Sequence, residues 1–216
     1  GGLTSTADYG SYLNFGNLFI SSHGMKKVTD YVRYLDINNA VAGVQFCMDG
    51  VAYRRTYFAS NPDSCIVIRY TASQRGKIST TLALMDQNGG YVRYVVDKVN
   101  QATITFDGQI ARQKDGGVAT PESYCCTARV VTEGGKVRKN AKGLIEVSNA
   151  DCMTIYLRGL TDFDPDAPEY VAGAGRLAGR AAATVDSAQR KGYAALLAAH
   201  KADYRSLFDR CQLTLG

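Results

Sequence analysis

Short apolar runs separated by turn residues fill the first three quarters of the chain. Residues 78–84 show the pattern best: Ile78, Thr80, Leu82 and Leu84 share one face, and Ser79, Thr81 and Ala83 share the other. A period of two marks a sheet whose two faces meet unlike surroundings. Residues 42–48 and 51–58 are both β-prone and are joined by Asp49-Gly50, a dipeptide suited to the positive φ of a tight hairpin. Residues 65–70 are apolar enough for a central strand. Residues 17–21, 91–96, 102–106, 124–132, 144–147 and 152–158 read as further strands, with Glu133-Gly134-Gly135 as a second hairpin turn. Many short strands with frequent turn signals predict an antiparallel β-sandwich.

The pattern changes after Asp162. Pro165 and Pro168 forbid a continuous ladder there. Residues 172–190 are Ala-rich and helix-prone, and Gly192 breaks them from a second helix over 193–209. In that second helix Leu196, Leu197, His200, Tyr204, Leu207 and Phe208 recur at helical spacing. The chain then reads as a mainly β protein, a sandwich over residues 1–165, followed by a helical linker over 166–216 that ends in a possible strand at 211–215. The apolar helix must pack on the sandwich or lead into another domain.

Composition agrees with this outline and narrows the chemistry. There are 216 residues, 22 Gly, 14 Tyr and no Trp. The net charge of +5 is mild and dispersed, and its densest basic stretch, 136–142, reads as a solvated hairpin loop. No basic stripe with interleaved aromatics suggests nucleic-acid binding. No apolar run reaches the length of a membrane span. The six cysteines include no CxxC pair, which speaks against a zinc site. Cys125 and Cys126 are adjacent in a predicted strand, so they should point to opposite faces as small apolar fillers. Gly1-Gly2 without an opening Met reads as the start of a fragment.

No residue set stands out as catalytic. His23 and His200 are the two histidines, and neither accompanies a nucleophile motif, although Asp203 follows His200 on the same helix. Asp162, Asp164 and Asp166 have Ala167 and Gly173 where a calcium loop wants Gly and Glu, so they read as a solvated turn. Glu122, Glu133, Glu146 and Glu169 occupy turns, strand edges or loops, without an acid/base motif. Tyr91 and Tyr94 beside Gly89-Gly90 are the best candidate sugar platform, with sheet packing as the plainer reading. Gly173, Gly175 and Gly179 resemble part of a dinucleotide loop but lack the preceding strand. The expectation is no catalytic residue, no metal ligand and no cofactor within the chain.

Four segments together resemble glycoside hydrolase family 95. They are residues 9–20 (YGSYLNFGNLFI), 30–40 (DYVRYLDINNA), 51–63 (VAYRRTYFASNPD) and 192–210, with its ADY and LFDR elements. The resemblance implies the N-terminal super-sandwich and linker of an α-L-fucosidase that hydrolyses terminal fucose. The catalytic (α/α)6 barrel would be a missing partner domain, and carbohydrate would be met through the full-length enzyme. It also implies a periplasmic or extracellular location. Some members act on galactosides, and related sandwich-plus-barrel enzymes of another family are disaccharide phosphorylases. The alternative reading is a free-standing carbohydrate-binding or adhesion module.

Overall fold

The computed structural model describes residues 14–24, 26–87, 90–114, 117–173 and 175–211. Within them the chain forms β1 (Gly16–Ser22), β2 (Thr29–Asp36), β3 (Val41–Met48), β4 (Val51–Ser60), β5 (Cys65–Ala72) and β6 (Ile78–Asp86). It continues through β7 (Tyr91–Lys98), β8 (Gln101–Lys114), β9 (Gly117–Glu133), β10 (Lys136–Lys139), β11 (Ile145–Ala150) and β12 (Cys152–Thr161). A short 3-10 turn, Pro168–Tyr170, precedes α1 (Leu177–Lys191) and α2 (Tyr193–Phe208). Residues 212–215 of the expected strand at 211–215, and residues 9–13 of the 9–20 motif, lie outside the described residues.

All strand pairs are antiparallel. One sheet has four strands in the order β1-β6-β11-β10, and the other has eight in the order β2-β3-β4-β5-β12-β9-β8-β7. This is the sandwich that the alternation predicts. Ile78, Leu82 and Leu84 of β6 and Ile145 and Val147 of β11 meet Ile104 and Phe106 of β8, Tyr124 and Val130 of β9, and Met153 and Ile155 of β12. The Asp49-Gly50 hairpin forms as expected: both residues have positive φ, 50° and 73°, the geometry that matches strand twist.

The eight-stranded sheet is apolar on both faces. Along β9, Tyr124, Cys126, Ala128 and Val130 enter the sandwich core, whereas Cys125 faces the helices. The two adjacent cysteines therefore do point to opposite sides. On the second face Val41, Phe58, Cys65, Val67 and Tyr156 pack against Val185, Ala188 and Leu196, and Cys125 packs against Leu177 and Ala181. The buried positions of α1, Leu177, Ala181, Val185 and Ala188, follow helical spacing. Two of these four positions are Ala, so the face α1 turns to the sheet is largely small.

Three departures from the sequence reading have physical causes. β2 is an edge strand with mostly exposed residues, so it carries no clean alternation. Residues 136–139 are not a solvated loop but strand β10, which buries Val137 and pairs Arg138 with Glu146. β8 and β9 run far beyond the expected segments, and their ladder shifts register where Pro121, which has no N–H to donate, interrupts it.

Leu196 is fully buried at the junction of helix and sheet. Leu196→Ala is expected to lower unfolding free energy by about 2–5 kcal/mol, as measured by urea denaturation. A loss within error of zero would show that the helices add nothing to the interior.

Candidate functional site

Three of the four segments that carry the family resemblance, 30–40, 51–63 and 192–210, come together in space. His200 of α2 is buried, and its Nε2–H donates to the carbonyls of Asn39 and Ala40 at 3.1 and 3.0 Å. Two carbonyl acceptors require the proton on Nε2. One turn on, Tyr204 Oη donates to the Ile37 carbonyl at 2.6 Å, and Arg205 Nε reaches the Asn38 carbonyl at 3.4 Å. Four successive carbonyls of the β2–β3 turn are thus held by three side chains of α2. Asp36 stays ionised inside this turn: the Asn39 amide at 2.6 Å holds its carboxyl below the usual range, aided by the Asn38 N–H.

The 51–63 segment is fixed to the same helices. The His200 ring lies 5.0 Å from Phe58, and Tyr193 packs edge-on to Phe58 at 5.8 Å. Lys191 Nζ pairs with Asp63 at 2.5 Å, and Asn61 Nδ2 donates to Asp203 at 3.3 Å. Farther along α1, Asp186 and Gln189 bind Arg129 of β9 at 2.9 and 3.0 Å. His200 and Asp203 therefore serve different partners, both structural. His23 lies elsewhere, its Nε2 against Thr81 Oγ1 at 2.7 Å.

The remaining candidates disperse. Tyr94 enters the core and exchanges hydrogen bonds with the Leu84 backbone, whereas Tyr91 is exposed on the other face, so they form no common platform. Gly89 lies outside the described residues. Asp162 is buried and accepts from Ser123 N at 2.8 Å, whereas Asp164 accepts from Asp166 N at 3.0 Å. Among the described residues no three His, Cys, Asp or Glu side chains form a metal-sized group. Glu133 pairs with Arg69, Glu169 holds Thr120, and Glu122 is half-buried at the far end of β9. The Arg138 guanidinium keeps Glu146 below the usual carboxylate range, the opposite of what a proton donor needs. Gly179 is inside α1, so it cannot belong to a phosphate loop, and Ala174 lies outside the described residues.

Two open grooves flank the helix-covered region. One, of about 730 Å³, lies between the ends of β4, β5 and β12 and is walled by Phe15, Ile66 and Arg158. The other, of about 440 Å³, lies between α2 and the outer face of β2 to β5 and holds Tyr34, Asp36, Arg54, Arg69 and Lys201. Sequence reading missed the second groove entirely. Its residues are scattered over β2, β4, β5 and α2, and each one alone reads as solvated polar surface.

Fold and site together define an antiparallel β-sandwich domain with a helical cover fastened to it. The family model described as "Glycosyl hydrolase family 65, N-terminal domain" matches residues 2–166, and the chain belongs to that family. The sandwich is thus of the kind at the N-terminus of family 65 and family 95 glycoside hydrolases, as the resemblance implied. "Alpha-L-fucosidase 2" of Arabidopsis thaliana is 29% identical over 214 residues, covering 92% of this chain and 25% of that protein. "Probable alpha-fucosidase A" of Aspergillus oryzae is 25% identical over 162 residues, covering 74% of this chain and 21% of that protein. A solved structure described as "Putative kojibiose phosphorylase from human microbiome" shares the fold with a TM-score of 0.57 at 12% identity, over 90% of this chain and 28% of that one. The chain thus spans about a quarter of the length of the curated relatives it matches. Among the described residues no helix is long and apolar enough to cross a membrane.

Burial raises the thiols of Cys65 and Cys126 from 9.0 to about 11 and about 12. Both groups are stabilised neutral in the fold, so their contribution is complete below pH 9 and is lost as pH rises towards those values. A thiol reagent at pH 8 is therefore expected to label exposed Cys211 rapidly, and Cys65 and Cys126 only on unfolding, as read by mass spectrometry of the labelled peptides.

Replacing the buried ring in His200→Ala removes the bonds to Asn39 and Ala40. It is expected to cost about 1–3 kcal/mol and to speed amide exchange in the β2–β3 turn.

Proposed function

We propose that this chain is the N-terminal sandwich domain and helical linker of an α-L-fucosidase, and that bond cleavage belongs to a separate helical catalytic domain. One observation carries the reading: the sequence aligns over 92% of its length with a quarter of an α-L-fucosidase. The domain's role is to support its catalytic partner. In the structure α2 is fixed to the sheet at its middle, while Leu207 and Phe208 at its end, and Ile37 in the β2–β3 turn, stay exposed. Tyr204, which bonds the Ile37 carbonyl, stacks on Phe208 at 5.1 Å, so Ile37, Tyr204 and Phe208 form one apolar corner at the end of α2. We assign that corner to contact with the catalytic domain. Export to the periplasm or cell exterior, implied by the family 95 resemblance, is part of the same proposal.

The 216-residue chain alone is expected to release no detectable product from a nitrophenyl α-L-fucoside or from fucosyl-lactose. A protein that also contains the helical domain is expected to cleave both. Turnover by the short chain would overturn the division of labour. Cleavage of galactosides alone, or release of a sugar phosphate only when phosphate is added, would replace the substrate assignment.

A further inference from the structure

The groove between α2 and the outer face of the large sheet has the makings of a binding site, and neither the support role nor the relatives account for it. Strand register sets its floor. Tyr34 pairs with Gly43, Gly43 with Thr56, Thr56 with Arg69 and Arg69 with Thr154, giving one row across five strands. A second row places Arg54 opposite Thr71. Arginines thus occupy one diagonal of the β4–β5 floor and threonines the other.

The groups differ in what they have left to offer. Arg69 is already engaged: it donates to Thr154 and Glu133, each at 2.9 Å, and lies 4.8 Å from the centre of the Tyr193 ring. It therefore fixes Tyr193 as one wall. The opposite wall is Tyr34, whose ring lies over Gly43; a Cβ there would come within 2.4 Å of it, so any other residue would push the ring aside. Arg54 gives one N–H to Tyr34 Oη at 3.1 Å and is otherwise exposed. Lys201 lines the groove from α2, and Thr56, which is buried, and Thr71 line its floor. None of these three side chains makes a hydrogen bond to another described residue, although the Lys201 charge helps hold Asp36 ionised.

We propose that this groove binds an acidic saccharide, with a uronic acid as the simplest occupant. Arg54, with only one N–H given to Tyr34, and Lys201, whose ammonium makes no hydrogen bond to a described residue, have donors suited to a carboxylate. The five charged groups around the groove, Arg54, Arg69, Lys201, Asp36 and Glu133, sum to one net positive charge. Tyr34 and Tyr193 offer apolar ring faces to the C–H side of a pyranose. The threonines, together with the ionised Asp36, supply partners for ring hydroxyls. The volume of about 440 Å³ falls within the span of small-ligand sites.

The test is calorimetric titration of the 216-residue chain with glucuronate, glucose and inorganic phosphate, together with amide shift mapping by NMR. Glucuronate is expected to bind with a Kd on the order of 1 mM, shifting the amides of Tyr34, Thr56, Thr71 and Tyr193. Glucose and phosphate are each expected to bind about 10-fold more weakly, as each lacks part of the recognised pattern. Arg54→Gln and Lys201→Gln each remove a surface cation and are expected to weaken glucuronate about 5-fold without changing the melting temperature. Four results would overturn the proposal: no saturable binding of glucuronate, glucose binding as tightly, phosphate binding as tightly (an adventitious ion only), or undiminished affinity in both variants. Because hydrolysis is not read, these results stand apart from the fucosidase assignment.

Discussion

The structure depends on covering an eight-stranded sheet that is apolar on both sides. β12 shows the constraint most directly: five successive residues, Cys152 to Tyr156, are buried, so neither of its faces can meet water. The four-stranded sheet covers one side and α1 with α2 covers the other. Fully burying an aliphatic side chain such as Val185 or Leu196 stabilises by about 1.5–3 kcal/mol, so these helices are a third layer of the molecule. Their polar contacts add position more than energy. The ion pairs of Lys191 and Asp186 are partly exposed and contribute little, whereas His200 and Tyr204 determine which turn the helix meets.

Much of the sandwich was legible in the sequence because its signals are local. Alternation at residues 78–84, Asp49-Gly50 and the glycines at 134–135 each report a strand face or a turn from a few neighbours. The helical pair was legible for the same reason, through spacing and the break at Gly192. The edge strand β2 was not, because an exposed edge needs no apolar face. β10 was hidden because its four residues bury Val137 alone and otherwise carry charge. The continuous burial of β12 looked like any central strand, since local pattern cannot say what covers a sheet.

The candidate site was legible to a lesser degree. His200 stands out in the sequence as a possible acid–base group, and the structure places it on the predicted helix. What its ring meets is set by a turn 160 residues earlier in the chain, which no local spacing reveals. Tyr91 and Tyr94 show the opposite error: close in sequence, they diverge because a strand sends positions three apart to opposite faces. The groove floor was invisible because it exists only once strand register sets Arg54 beside Thr71 and Thr56 beside Arg69. In contrast, the resemblance segments proved informative as a set. Three of them meet around His200, so their likeness to relatives reflects one contact region.

The family match stops at residue 166, whereas the interior does not. A truncated polypeptide ending at that boundary would keep every strand and yet present Val67, Phe58, Tyr156 and Cys125 to solvent as a broad greasy slab. Such a product would self-associate into inclusion bodies. For expression work, the useful cut point lies after the second helix.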